Sequence, residues 1–190
     1  MPPAPASSLL ALLTAAALLT GTAALCQAAL EGFFASRARD QAEAQRRDGN
    51  YDQAWATLER ALRRSPGSAE LWSELGQTYR AAWFFRGQPE LLASALRAYR
   101  EADRLNPLAA GPPAELARTH ALAGADDPAQ RAYARALRRD PRNPGLLVDR
   151  AAALERLGRA AEALKFYRAA AHIKPNEYSQ AAEQRLGRTP

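Results

Sequence analysis

Hydrophobic and polar positions divide the chain into an uncharged run near its start and a long series of amphipathic segments. Between residues 9 and 30 no charge occurs: the run holds eight Leu, eight Ala, three Thr, Gly21, Cys26 and Gln27. As a helix at ~1.5 Å per residue it measures about 33 Å, enough to span a hydrocarbon core of ~30 Å. Two readings fit. One is a single-pass transmembrane anchor over 9–30 behind a short tail, 1–8; the other is a cleaved secretory signal, with 9–19 as its apolar region and 21–23 as a small-residue site. The tail contains no Lys or Arg, and the apolar run continues past that site, which favours the anchor. Arg37, Arg39, Arg46 and Arg47 come after the run while no basic residue precedes it. The positive-inside rule then favours the cytoplasmic side for the downstream domain, with the periplasm as the alternative. Leu25 stands where a lipoprotein signal would carry a small residue, so Cys26 reads as a small apolar side chain of the run.

From residue 35 onward the pattern repeats. Ala54, Leu58, Ala61 and Pro66 have the same spacing as Ala95, Tyr99, Ala102 and Pro107, as Ala129, Tyr133, Ala136 and Pro141, and as Ala163, Tyr167, Ala170 and Pro175. Within each block the first three residues fall on one face of a helix, and the proline closes it. The last two blocks are each displaced by 34 residues. Upstream of each lies another helical stretch, clearest in Trp72, Leu75, Gly76 and Tyr79, followed by a turn marked by Gly49, Gly124 or Gly158. Trp, Leu, Gly, Tyr, Ala, aromatic and Pro in this order resemble the tetratricopeptide repeat, a helix-turn-helix unit of ~34 residues. The resemblance covers four units, 35–68, 69–109 with a seven-residue insertion, 110–143 and 144–177, with a capping helix over 177–187.

Composition agrees. Val148 and Ile173 are the whole complement of Val and Ile, whereas pleated sheets favour β-branched residues and helices favour the Ala, Leu, Arg and Glu that dominate here. The expected fold is all-α: by the resemblance, a right-handed superhelical stack of helix-turn-helix repeats, plus one N-terminal hydrophobic helix. Small residues let the helices nest: Ala42, Gly76, Ala117 and Ala151 on first helices, and the paired alanines of each block on second helices. A single unit buries no complete core, so stability is a sum of unit and interface terms. The first unit has Ala38 and Gln45 where the family carries large aromatics, as suits an exposed end.

Site chemistry is sparse. One cysteine excludes a disulfide within the chain and a thiolate zinc site, and His120 and His172 are the only histidines. By the resemblance, His120 takes a place where the family carries a large inward residue, which favours core packing over metal ligation. No phosphate loop, paired metal-ligand motif or nucleophile elbow occurs, so no catalytic residue, metal, cofactor or small-molecule substrate is expected, and the chain reads as a non-enzyme. Function should come from surfaces. The resemblance implies that first helices line a concave groove for a protein or peptide, here including Arg39, Glu43, Arg46, Arg47, Glu70, Ser73, Glu74, Gln77, Arg80, Glu115, Arg118, Asp149, Ala152 and Glu155. Arg46, Arg47 and Arg80 form a basic cluster able to meet a partner carboxylate; alternatively they pair with neighbouring glutamates.

Basic residues number 26 and acidic 20, a net charge of +6, and the whole excess falls on the second helices and their turns. A basic convex side beside a membrane suits anionic lipid or an acidic partner. Nucleic acid is the disfavoured alternative, since the basic stretches lack interleaved stacking aromatics. The insertion contains Trp83, Phe84 and Phe85, which cannot all face one side of a helix, so one packs inward or the group offers a hydrophobic contact. The expected protein is thus a membrane-anchored repeat scaffold of a bacterial envelope complex at the inner membrane, or a secreted periplasmic scaffold if the first segment is cleaved.

Overall fold

The structure, a computed structural model, describes residues 6–175 and 177–187, with the side chains of 6–21, 23, 24, 28 and 178 excepted. Most side chains of the expected apolar segment 9–30 therefore lie outside the described residues, as does most of the tail 1–8. Among the described residues no helix is long and apolar enough to cross a membrane. Those residues form nine helices and no strand: α1 Ala6–Arg47, α2 Tyr51–Arg64, α3 Ala69–Arg86, α4 Pro89–Leu105, α5 Gly111–Leu122, α6 Asp126–Arg139, α7 Pro144–Arg156, α8 Ala160–Ile173 and α9 Glu177–Leu186.

Local chemistry sets the boundaries. Pro66, Pro107, Pro141 and Pro175 each stand two residues past a second helix, where a missing N–H and a fixed φ prevent continuation. Within the units, α1, α5 and α7 end on one device: Gly49, Gly124 and Gly158 take φ of 78°, 72° and 72°. That left-handed turn lets the next amide reach back, Asn50 to Gln45, Ala125 to His120 and Arg159 to Leu154, closing the helix C-termini. Helix starts are capped where the side chain allows. Ser68 Oγ accepts from the Leu71 amide at 3.3 Å, and Asn143 Oδ1 accepts from that of Leu146 at 3.2 Å.

The core is continuous across unit boundaries. Ala42, Ala54 and Leu58 of the first pair pack with Leu71, Leu75 and Ala98 of the second. Tyr99 and Ala95 of the second pack with Leu116, Ala117 and Tyr133 of the third. Ala136 and Leu137 then meet Leu146, Leu147 and Ala170, and α9 covers the end, placing Ala182 against Leu154 and Tyr167. This is how incomplete units acquire a core: each buries the apolar stripe its neighbour leaves open.

The second pair is longer than the two after it. Its helices hold 18 and 17 residues, against 12 and 14 in the third and 13 and 14 in the fourth. The insertion thus extends both helices, and they close through Gly87 at φ 69°, whose amide bonds the Trp83 carbonyl at 2.8 Å. First helices of neighbouring units touch, α1 with α3 and α5 with α7, while second helices are spaced by the first helix wedged between them. The stack accordingly has an inner face of first helices and an outer face of second helices.

Candidate interaction surfaces

The inner face is a ladder of ion pairs. Arg46 Nη1 lies 3.1 Å from Glu74 Oε2, and Arg80 Nη1 lies 2.5 Å from Glu115 Oε2. Glu115 also holds Arg118 Nη1 at 2.6 Å, and Arg118 Nε reaches Asp149 Oδ2 at 2.8 Å. Glu155 takes the last rung, accepting from Arg185 of the capping helix and from the Tyr167 hydroxyl. The hydrogen bond from Arg185 holds the Glu155 carboxyl below the usual carboxylate range. Each long-range rung joins residues 28 to 35 positions apart, so the ladder fixes unit to unit.

The arginines of the expected basic cluster are therefore engaged by carboxylates of this chain. Arg46 and Arg80 pair across units, and Arg47 pairs within α1 with Glu43 at 3.0 Å. Arg39 and Gln77, both half-buried, make no hydrogen bond or ion pair among the described residues. Arg39 borders a hollow with Glu31, Ser36, Pro66 and Glu70. Arg185 was not among the expected groove residues, because a helix outside the repeat period carries it and only the stack brings it to Glu155.

The insertion builds a clasp on the first pair. Trp83 is half-buried, and Phe84 and Phe85 are 66% and 70% exposed. Phe85 stacks on Tyr51 with ring centroids 5.8 Å apart. Arg86 lies over Tyr51 and Trp55 and bonds both oxygens of Asp52 at 2.9 and 3.0 Å. The aromatic triplet is thus split: Phe85 serves the packing of α3 on α2, and Phe84 projects, edge-on to Phe85.

The outer face contains an open groove of about 950 Å³ between α2 and α4, floored by Leu62, Trp72, Leu75, Tyr79 and Ala98. Trp72 Nε1 donates to the Pro66 carbonyl at 3.0 Å, and the Tyr79 hydroxyl donates to Glu59 at 2.7 Å. These bonds satisfy both polar tips; one face of the Tyr79 ring stacks on Trp55, centroids 5.4 Å apart, and both rings stay half-buried at the groove. In sequence, Trp72 and Tyr79 read as repeat positions alone. Their signal as a surface was the lack of a bulky residue opposite them at Ser94 and Ala98.

The next gap along, between α4 and α6, has only about 270 Å³ and includes His120. Burial, reinforced by Arg100, Arg131 and Arg135, pushes the imidazole below its ordinary ~6.5. The folded state then binds fewer protons than the unfolded chain. Its contribution to stability is complete above ~6.5 and is lost as pH falls from there through the depressed folded value. Denaturation midpoints measured between pH 7 and 5 should fall with acidification, and His120→Gln should flatten that slope.

Among the described residues no group of three or more His, Cys, Asp or Glu is placed to hold a metal ion. Models of the tetratricopeptide repeat match residues 35–78 and 127–178. No curated protein sequence matches the chain. The crystal structure of TTC0263, a thermophilic repeat protein of Thermus thermophilus, is similar at 23% identity, covering 79% of this chain and 78% of that one, with a TM-score of 0.65. A crystal structure of MamA matches at 18% identity, 76% and 81% coverage and a TM-score of 0.65. The repeat domain of Arabidopsis OM64 matches at 26% identity, 62% and 93% coverage and a TM-score of 0.53. Members of such repeat families are generally scaffolds that bind proteins or peptides. With two sequence matches that together span just over half of its residues, and a stack of paired helices running through both, this chain belongs to the tetratricopeptide repeat family.

Proposed function

We propose that the protein is a non-catalytic scaffold, held at a bacterial membrane by residues 9–30, whose inner face receives a segment of a partner protein in an envelope complex. The observation that carries the binding reading is the inner face itself. Its ion-paired ladder holds α3, α5 and α7 in fixed register, so a partner meets a surface already ordered and little side-chain entropy remains to be lost. Because Arg46, Arg80 and Arg118 are engaged, recognition there falls to Arg39 and Gln77 and to apolar contacts beside them. The support for anchoring is the uncharged run, together with the way α1 carries Leu25, Leu30, Phe33 and Phe34 exposed ahead of the stack. The basic outer face adds attraction to anionic headgroups.

Two measurements test this. A photocrosslinking residue at Gln77 in growing cells should give a discrete adduct with another protein, and no adduct would remove the inner-face reading. The full chain should stay with membranes through alkaline carbonate extraction, and deleting 9–30 should release it. A mature chain beginning near residue 24 and extracted without detergent would replace the anchor with a cleaved signal and a periplasmic scaffold.

A further inference from the structure

We infer that the outer groove between α2 and α4 is a second docking site, for an acidic segment of a partner protein that carries a large apolar anchor. The inference is independent of the inner face. The groove exists at this interface for a specific reason. Between α4 and α6, Asp103 is bonded by Arg139 at 2.5 Å and approached by Arg135 at 3.8 Å, which ties the two second helices together. One unit earlier the positions of Asp103, Arg135 and Arg139 are Leu62, Glu101 and Leu105, so neither side can form that pair. No ion pair crosses from α2 to α4 among the described residues, and the cleft stays open over Trp72, Leu75 and Tyr79.

Charge decides the occupant. The rim carries Arg63, Arg97, Arg100 and Arg104 against Glu59 and Glu101. Glu59 is engaged by the Tyr79 hydroxyl, and Glu101 by three hydrogen bonds from Arg104. Arg63 and Arg100 have no carboxylate partner among the described residues, and Arg97 bonds only the Ser94 hydroxyl at 3.1 Å. Three guanidinium groups therefore stand around an apolar floor without an ion-pair partner among the described residues, and with four arginines against two glutamates the rim is positive on balance. Carboxylates flanking an aromatic or leucine anchor satisfy both parts at once: the anchor covers the half-buried rings of Trp72 and Tyr79 while the acids meet the arginines bidentately.

The test uses the full chain in detergent and a displayed library of random twelve-residue peptides. Selection should enrich Asp and Glu around Leu, Phe or Trp. Binding of the enriched peptides, read by fluorescence anisotropy, should weaken about tenfold or more for Arg97→Glu/Arg100→Glu, and should weaken with added salt. Both positions are on the solvent side of α4, and an unchanged helical circular dichroism melt verifies the fold. Enrichment of neutral or basic peptides, or binding that survives the double variant, overturns the inference. So does a wild-type dimer that the same variant dissociates, or variant-sensitive binding to phosphatidylglycerol vesicles without peptide enrichment, which would give the groove to a second copy or to lipid. The crosslink from Gln77 reads the inner face separately, so either surface can fail alone.

Discussion

Tyr99→Ala should lower the stability of the repeat stack by about 3–5 kcal/mol, the range for emptying a buried aromatic site. Tyr99 is fully buried between the second and third units, against Ala95, Leu116, Ala117 and Tyr133. Neighbouring helices cannot collapse into the void without breaking the register that Arg80, Glu115 and Arg118 fix on the inner face. Since a domain of this kind has about 5–15 kcal/mol in total, the urea midpoint followed by circular dichroism should drop by a large fraction of its value. The hydroxyl plays no part in this. Tyr99 Oη is buried with no hydrogen-bond partner among the described residues, so Tyr99→Phe should leave the midpoint unchanged or raise it. Tyr167→Phe, by contrast, removes a bond to Glu155 of 3.2 Å and should lower the midpoint by about 0.5–1.5 kcal/mol equivalent.

The second large effect is where Gly76 of α3 abuts the Tyr99 ring of α4. A Cβ on Gly76 would lie 2.8 to 2.9 Å from Cδ1, Cε1 and Cζ of Tyr99. In an exposed helix Gly→Ala gains about 1 kcal/mol. Here the ring is rigid and enclosed, and overpacking costs about 1–3 kcal/mol. Gly76→Ala should therefore destabilise by about 1–2 kcal/mol net, against the propensity trend. Two controls isolate the cause. Gly32→Ala in α1, where nothing lies within 4 Å, should show no loss. In a Tyr99→Leu background the added methyl enters vacated space, so Gly76→Ala should become neutral or favourable; a loss of equal size in both backgrounds would refute the contact as its origin.

The engaged arginines alter how the inner face should be read. A groove rich in guanidinium looks in sequence like a receptor for acidic ligands, yet Arg46, Arg80 and Arg118 already have carboxylates at 2.5 to 3.1 Å. Recruiting them would require breaking a rung that holds two units in register. Among the described residues, only Arg39 stays uncommitted on the inner face, whereas Arg63, Arg97 and Arg100 stand without an ion-pair partner around Trp72 on the outside.

Periodicity by itself determined the helical class and the pairing of helices. Recurrent Ala and Tyr at helical spacing, with proline after each second helix and glycine in the turns, are local instructions that hold whatever surrounds them. Sequence also marked Gly76 as a small residue facing a neighbour, and placed the positive excess on the second helices. What it left open were choices settled only by the stack. Whether an arginine on a first helix faces solvent or a carboxylate some thirty positions away depends on how adjacent units are rotated. That rotation is set by side-chain volumes meeting across the interface, which no single helix contains. The same holds for the outer groove: Leu62, Glu101 and Leu105 stand where the next interface has Asp103, Arg135 and Arg139, and only the tertiary arrangement shows those positions facing one another across a cleft with no ion pair among the described residues to bridge it.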